Sequence, residues 1–216
     1  MTKIIQTFWL PKSNNKPLLH SGSFICAEVH YMSWAFSCLQ LTKFYDEVEL
    51  HTNRAGKEIL IDLLGLPYTK VHLSLETEFI DTLLPIMWAY CKIHTYSLQK
   101  HPFLHVDGDV FIWEAFDDEI LKKSLVVQNI DENLSVYKHC LTTIQNQAHF
   151  LPEWVTIDQA QIKAFNAGLI GGNDISFFKE YTRLAFEFYE KNKFCFEDLH
   201  RENKHIHIVP EQLLLY

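Results

Sequence analysis

The sequence predicts an α/β fold in which a mainly parallel central sheet is flanked by helices. Short β-branched or aromatic segments alternate with longer segments of helical periodicity, which is typical of βαβ units. The chain has 216 residues, of which 48% are hydrophobic, enough for one α/β domain with a sizeable core. Since no repeat or linker divides it, we expect a single domain over residues 1–216.

The first half of the chain predicts three strands and two helices. Strands are expected over 3–10, 48–52 and 68–73, and the polar segment between the first strand and the first helix is expected to be a loop. A helix is expected over 24–43, and a second one begins after Asn53. The apolar residues that helical spacing places on one face of the first helix are Ile25, Val29, Met32, Phe36, Leu39 and Leu41.

The second half continues the alternation. Pro85 is expected to kink a long helix or to delay its start, because proline lacks a backbone N–H. The predicted elements are a helix over 78–98, a strand pair over 103–106 and 110–113, a helical turn over 116–121, a strand over 125–129 and a helix over 133–146.

Composition narrows the class of protein. A formal net charge of −8 argues against a general nucleic-acid binder, which would show a basic face. The five cysteines are scattered without a C-x-x-C pair, which indicates reduced thiols in a cytoplasmic protein. The sequence shows no signal peptide and no transmembrane segment, and it is compatible with peripheral association with a membrane.

The motif with the clearest chemistry is Asp107-Gly108-Asp109, which follows an apolar strand. Two carboxylates one residue apart repel each other and lose hydration when they are buried, and a hard divalent cation such as Mg²⁺ removes that cost. In parallel sheets, ligands bind beyond the carboxyl ends of the strands, where this motif lies. The alternative is a strand-end turn with solvated aspartates, because Asp and Gly are ordinary turn residues.

A glycine-rich stretch and a histidine-containing stretch follow. Residues 165–174 predict a strand, a close approach at Gly171 and Gly172, and a capped helix, with or without a ligand. His205 and His207 alternate with apolar residues, so a short strand is expected there, with each histidine either a metal ligand or solvent-facing. The apolar end of the sequence indicates the start of a buried helix, and we expect the natural chain to continue.

Together these segments resemble glycosyltransferases of the GT-A fold, a Rossmann-type sandwich. Residues 3–9 resemble the opening strand that leads into the nucleotide pocket, and 103–109 resemble the strand that ends in the metal-binding D-x-D motif. Residues 165–172 are similar to the acceptor-side strand with its glycine pair. Residues 207–212 are similar to the acidic motif that follows, although a histidine replaces its more usual acid.

The resemblance implies a hexosyltransferase that uses a nucleotide-sugar donor (a UDP- or GDP-sugar), a carbohydrate or lipid-linked acceptor, and Mn²⁺ or Mg²⁺, as in polysaccharide biosynthesis. It implies Asp107 and Asp109 as metal ligands, and Glu211 as base, nucleophile or acceptor-orienting group, with Asp174 beside the sugar as a second catalytic candidate. His207 is expected as a third metal ligand, because a neutral imidazole can complete such a site. The residues that it places at the donor are Gln6, Trp9, Arg54, Lys100, Asp107, Gly108, Asn166, Gly171 and Gly172.

Two other functions compete with this interpretation. A phosphatase of the haloacid-dehalogenase kind also carries Asp-x-Asp after an apolar strand, but usually on the first strand, whereas three predicted strands precede Asp107. A non-catalytic nucleotide-sugar-binding domain would keep the fold without the chemistry.

Overall fold

The structure, a computed structural model, describes residues 3–22, 24–131, 134–155, 162–203 and 205–215. Six strands of these residues form one sheet in the order β3-β2-β1-β4-β6-β5. The strands are β1 (Lys3–Phe8), β2 (Val48–Thr52), β3 (Lys70–His72), β4 (Phe103–Val106), β5 (Val126–Asp131) and β6 (Ala164–Gly172). The helices are α1 (Ala27–Phe44), α2 (Arg54–Lys57, continued by a π-helical segment over Glu58–Leu63), α3 (Glu78–Asp81), α4 (Ala89–Ser97), α5 (Asp118–Leu121), α6 (Leu134–Gln147), α7 (Ile175–Asn192) and α8 (Phe196–Glu202).

The sheet is mainly parallel. Ile4 on β1 pairs in parallel with Val48 on one side and with Leu104 on the other, and β3 extends the parallel set beyond β2. The strand β6 runs antiparallel to β4, with Leu169 opposite Val106. The predicted α/β fold class with a mainly parallel, helix-flanked sheet is therefore confirmed.

The chain divides into two compact units, and the first comprises Met1–Leu83, Gln99–Val126 and Gly168–Asp174. Its core lies between one face of the sheet and helix α1. Leu50 and Leu104 from the strands belong to one buried cluster together with Trp34, Cys38 and Leu41 from the helix. Because apolar strand residues alternate with polar ones along β2, only one face of that strand enters this cluster.

The second unit comprises Leu84–Leu98, Val127–Ala167 and Ile175–Tyr216, and it is built on aromatic packing. Tyr90 on α4 lies 4.9 Å from Tyr189 on α7, measured between ring centroids, and its hydroxyl donates to the Ala185 carbonyl at 3.1 Å. Phe188 and Phe196 meet edge to face. Buried aromatic rings thus pack against one another within this core, alongside aliphatic residues. The single domain over 1–216 stays a prediction.

Helix α1 forms where a helix is predicted, but its core face differs from the apolar stripe in the sequence. Of that stripe, Leu41 is buried, whereas Met32 and Leu39 are 69% and 53% exposed. Trp34 and Cys38 occupy the buried face instead, together with small residues. One reason is that Ser33 and Ser37 on this face donate to the backbone carbonyls of Gly108 and Val110, so polar residues are buried where the sequence pattern indicates apolar ones.

Two predicted strands are wrong. Residues 110–113 form no strand, and Trp113 within them is 74% exposed. Residues 205–209 form a turn that leads into a π-helical segment, Val209–Leu213, in which Pro210 occupies an early position that suits its fixed φ. Neither segment pairs with a strand in the described part of the chain, so apolar character alone did not produce a strand at these positions.

The other predicted elements form with shifted boundaries. The long helix over 78–98 is divided into α3, a 3₁₀ turn at Pro85–Met87, and α4, as expected from a proline without an N–H. Asn133, the predicted first residue of α6, lies outside the described residues. Among the described helices, none is both long enough and apolar enough to span a bilayer.

Candidate active site

The candidate site lies where the strand order of the sheet reverses, between β1 and β4. From β1 the chain proceeds to β2 and β3 on one side, and β4 then pairs with the other side of β1. In open α/β sheets, ligands bind beyond the carboxyl ends of the strands at such a reversal. Asp107 directly follows Val106, the last residue of β4, and therefore lies at this position.

Asp107-Gly108-Asp109 forms a tight turn. The Val110 N–H donates to the Asp107 carbonyl at 3.1 Å and closes it, and the Asp107 N–H donates to the Gly168 carbonyl at 2.8 Å, which ties the turn to β6. The Asp107 side chain is 24% exposed, and Asp109 is exposed. Both carboxylates thus remain accessible on a backbone that is held in place.

The side chain of Gln6 on β1 forms hydrogen bonds with the backbone where this turn begins. Its side chain is fully buried, and Nε2 donates to the carbonyls of Val106 at 3.2 Å and Asp107 at 3.4 Å, and to Ser37 Oγ at 3.0 Å. Its Oε1 accepts from the Tyr68 hydroxyl at 2.7 Å. These contacts position the turn backbone, while the expected contact of Gln6 with the donor stays a prediction.

Two serines of α1 hold the rest of the turn. Ser33 Oγ donates to the Gly108 carbonyl at 2.8 Å. Ser37 Oγ lies 2.8 Å from the Val110 carbonyl and 3.3 Å from the Asp107 carbonyl. Because these serines are four residues apart, they share one helix face and contact successive parts of the turn. The carbonyls of Asp107, Gly108 and Val110 are thereby satisfied inside the protein, and the turn is preorganised.

Gly108 is required by packing. A Cβ built on it would lie 2.5 Å from Trp34 Cδ2 and 2.7 Å from Trp34 Cζ2, closer than carbon atoms approach without repulsion. Trp34 is itself held edge-on against Phe8, with ring centroids 4.9 Å apart. The indole therefore forms the floor under the turn, and a side chain at position 108 would lift the turn away from it.

A buried histidine lies beneath the first carboxylate. His105 Nδ1 is 3.6 Å from Asp107 Oδ1, longer than a hydrogen bond, and His105 Nε2 lies 3.0 Å from Thr7 Oγ1. His105 is fully buried in β4. It supplies a polar group near Asp107 on the inner side of the sheet.

Three residues that the sequence places at the donor lie in the first unit outside the turn. Trp9 follows β1 and is half-buried. Arg54 begins α2 directly after β2 and is exposed, and its N–H donates to Glu76 Oε1 at 2.6 Å. Lys100 is exposed and precedes β4. The structure leaves Arg54 and Lys100 accessible, and their roles stay predictions.

The glycine pair has a close-approach role within the sheet. A Cβ on Gly171 would lie 2.7 Å from the Leu104 Cα, so the glycine permits the tight pairing of β6 with β4. Gly172 has φ +142° and packs against the Ser124 backbone, to which the Asp174 N–H also donates at 3.1 Å. These contacts explain the glycines without a ligand, and their expected role toward the sugar, like that of Asp174, stays a prediction.

Glu211 lies in the second unit in a buried ion pair. Its Oε1 contacts Lys92 Nζ, and the exposed fractions of the two side chains are 1% and 5%. Lys92 also donates to the Ala167 carbonyl at 3.2 Å, and Tyr181 donates to the Glu211 carbonyl at 3.0 Å. The carboxylate therefore compensates a buried ammonium group, and its expected part in catalysis stays a prediction.

His207 and Asn166 also belong to the second unit. The His207 ring lies 5.1 Å from the Trp88 ring, measured between centroids, and is half-buried. Asn166 is half-buried on β6. Their assignments as metal ligand and donor contact stay predictions.

The turn fits a divalent cation. Its two aspartates offer the carboxylate oxygens that Mg²⁺ and Mn²⁺ take, both reach solvent, and the buried contacts beneath hold the backbone between them. A phosphate ligand would supply the remaining oxygens, as is usual for Mg²⁺ sites. Sequence reasoning found both carboxylates and singled out Gln6 for a different role, but it missed Ser33 and Ser37, whose only signal was their i, i+4 spacing.

Sheet order and turn together define an α/β protein whose ligand edge carries a pair of accessible carboxylates. The chain belongs to a family of unknown function (DUF6734), whose profile matches residues 2–216. No curated protein sequence matches it. A solved structure to which it is similar is the galactosyltransferase LgtC in complex with donor and acceptor sugar analogs, with 11% sequence identity, a TM-score of 0.46, and coverage of 97% of this chain and 70% of that chain.

Proposed function

We propose that this protein is a metal-dependent glycosyltransferase that moves a hexosyl group from a UDP- or GDP-sugar to a hydroxyl of a glycan, lipid or other acceptor. The observation that carries the proposal is the rigid Asp107-Gly108-Asp109 turn at the carboxyl end of β4, beside β1, where the strand order reverses. A diphosphate and two carboxylates are all negatively charged and repel each other, so they bind at the same edge only when a cation lies between them.

In this proposal Asp107 and Asp109 hold Mn²⁺ or Mg²⁺ against the donor diphosphate. The bound cation supplies Lewis-acid stabilisation of the negative charge that develops on the leaving nucleoside diphosphate. The contribution of the chain is positional. Gln6, Ser33 and Ser37 keep the turn carbonyls satisfied, so the carboxylates do not reorganise when the ligand arrives.

Further donor contacts come from accessible residues of the first unit. Arg54, which follows β2 at the same strand ends as the turn, is an exposed cation that suits the phosphates, and Trp9 offers a flat apolar surface to the base. Lys100 is also exposed, but it precedes β4 at the opposite strand ends, so its expected donor contact stays a prediction.

The assignments of Asn166 and Asp174 to the sugar, of the Gly171-Gly172 backbone to its close approach, of His207 to the metal and of Glu211 to the acceptor hydroxyl stay predictions from the sequence. Gly172 pairs with Phe103, the first residue of β4, so Gly171, Gly172 and Asp174 lie at the strand ends opposite the turn.

A non-catalytic nucleotide-sugar-binding domain is the second candidate, and the Glu211 ion pair favours it. A general base must reach the proton that it abstracts, whereas Glu211 is 1% exposed and contacts Lys92. Under this alternative the donor binds with metal at the turn, but no sugar is transferred or hydrolysed.

Calorimetry of donor binding with and without Mn²⁺ tests the metal site. We expect Asp109→Asn to abolish the Mn²⁺-dependent part of the affinity. Asp46→Asn is the matched control, because Asp46 is also exposed but precedes β2, at the opposite ends of the parallel strands. If Asp109→Asn binds the donor and Mn²⁺ as the wild type does, the metal assignment is wrong.

A thermal-shift panel of nucleotide sugars identifies the donor. A donor at about 100 times its dissociation constant should add about 2.7 kcal/mol to the free energy of unfolding. Mn²⁺-dependent hydrolysis of that donor in the absence of acceptor would support the transferase, and binding without hydrolysis would support the non-catalytic domain. Hydrolysis of a generic phosphomonoester would contradict both and indicate a phosphatase.

A further inference from the structure

Three side chains of metal-ligand type lie together on two strands of the first unit, and none of them belongs to the aspartate turn. Glu49 and His51 are two residues apart on β2 and therefore share a face of the sheet. His72, the last residue of β3, is the register partner of His51. The opposite face of β2 carries Val48 and Leu50 into the core. The pairing of β2 with β3 thus brings the three side chains together.

Their geometry is that of a coordination site. One ligand atom from each of Glu49, His51 and His72 lies within 4.8 Å of the other two. His72 Nε2 is 3.1 Å from Glu49 Oε2. In a tetrahedral site with metal–ligand bonds of about 2.0–2.1 Å, neighbouring ligand atoms are about 3.3 Å apart, so these two atoms require little movement.

His51 is already oriented by an outer contact. Its Nδ1 lies 2.9 Å from Ser74 Oγ, and its ring stacks on that of His72 with centroids 4.7 Å apart and an angle of 23°. When Nδ1 carries the proton and donates it to the serine, Nε2 holds the lone pair that a metal needs. An outer partner on the second ring nitrogen is the usual arrangement for a metal-binding histidine.

Burial and access also suit an ion. Glu49 and His51 are buried on a strand within the sheet, so the surrounding protein restricts the movement of their side chains. The His72 side chain is 41% exposed and opens the cluster to solvent. Three protein ligands with one side open to water are typical of a site that keeps a position for an exchangeable ligand.

Two lysines neutralise the carboxylate when no metal is bound. Lys70 Nζ lies 3.0 Å from Glu49 Oε1, and Lys3 Nζ lies 3.3 Å from Glu49 Oε2. Lys70 can therefore remain on Oε1 while an ion takes Oε2. Lys3 occupies the same oxygen as the ion would, and it is the competing cation.

We propose that Glu49, His51 and His72 form a site for a borderline divalent transition cation, with Zn²⁺ as the representative ion. Two imidazole nitrogens and one carboxylate oxygen suit Zn²⁺ or Co²⁺, whereas Mg²⁺ prefers oxygen ligands alone. The proposal does not rest on the proposed function, since it uses none of the residues of the Asp107-Gly108-Asp109 turn.

The test is titration of the chelator-treated full chain with Co²⁺, followed by visible absorption, and then displacement of Co²⁺ by Zn²⁺. We expect one tight ion per chain, displaced by Zn²⁺ but not by excess Mg²⁺. His72→Gln should weaken binding by more than the roughly tenfold typical of losing an outer partner. His101→Gln is the matched control, because His101 is an exposed histidine outside the cluster. Asp109→Asn should leave Co²⁺ binding unchanged.

Lys3→Gln provides a test with the opposite sign. Removal of the competing ammonium group should tighten Co²⁺ binding, and unchanged binding would overturn the assignment of Glu49 Oε2 as a ligand. Equal binding by His72→Gln, His101→Gln and the wild type would overturn the site, as would displacement of Co²⁺ by Mg²⁺ or the absence of Co²⁺ binding.

Discussion

Substitution of Gly108 by alanine tests whether the turn is as rigid as its contacts indicate. The added Cβ would lie 2.5 and 2.7 Å from two Trp34 ring atoms, whereas carbon atoms pack best at about 3.5–4.0 Å. Trp34 is 8% exposed and packs against Phe8, so the fused ring has little room to move. The opposite response, movement of the turn, would break its hydrogen bond from Ser33.

We therefore expect Gly108→Ala to lower the free energy of unfolding by about 2–3 kcal/mol, the upper part of the range for overpacking. For a chain of this length that corresponds to a fall of about 4–12 °C in the melting temperature. The assay is denaturant unfolding of four proteins: the wild type, Gly108→Ala, Trp34→Phe and the double variant. Since phenylalanine lacks the fused ring, the double variant should be more stable than the sum of the single effects predicts.

Gly65→Ala is the matched control, because nothing lies within 4 Å of its added Cβ while its φ of +63° disfavours a side chain. It should cost about 1–2 kcal/mol from backbone strain, and Trp34→Phe should not offset that loss. If Gly108→Ala unfolds at the wild-type denaturant concentration, or if its effect and that of Trp34→Phe are simply additive, the indole does not form a rigid floor for the turn.

Three further predictions concern stability. Burial lowers the pKa of His30 to about 4, whereas this histidine has a pKa of about 6.5 in the unfolded chain, so the unfolded chain takes up the proton first as the pH falls. The free energy of unfolding should therefore fall by up to about 3 kcal/mol between pH 6.5 and pH 4. His30→Phe should remove this pH dependence, which denaturant unfolding at a series of pH values measures. Glu211→Gln should lower the free energy of unfolding by about 3–5 kcal/mol, measured by thermal unfolding, because Lys92 then keeps a buried charge without its counterion. The further change Lys92→Met should restore most of this loss, and equal stability of Glu211→Gln and wild type would contradict the buried pair. On α1, Met32→Gln should change the free energy of unfolding by less than about 0.5 kcal/mol, whereas Leu41→Ala should lower it by about 2–5 kcal/mol. A loss for Met32→Gln as large as that for Leu41→Ala would restore the face indicated by the apolar stripe.

Local pattern was sufficient for the parallel strands that build the first unit. The strand at Val48–Thr52 has the predicted bounds, and Lys3–Phe8 lies within the predicted 3–10. The same reasoning failed for 110–113, where apolar character came without a pairing strand. It also misassigned the buried face of α1, because Ser33 and Ser37 look polar in the sequence yet face backbone carbonyls that they satisfy.

The candidate site divides in the same way. Asp107 and Asp109 were identified from the sequence as two acids that directly follow an apolar strand, although the structure leaves both carboxylates accessible and not buried. Gln6 was identified for a donor contact, but its hydrogen bonds to the turn involve residues about 100 positions away and could not be inferred from spacing. The burial of Glu211 against Lys92 likewise depends on packing between distant segments.

By itself, the sequence determined the α/β class, most helices and strands, and the pair of carboxylates at the end of a strand, because these depend on periodicity and on residues that are neighbours in the chain. Only the tertiary structure decided which face of α1 is buried, what holds the turn, and that Glu49, His51 and His72 meet. The physical reason is that these features arise from strand register and from contacts between distant segments, and no local pattern encodes them.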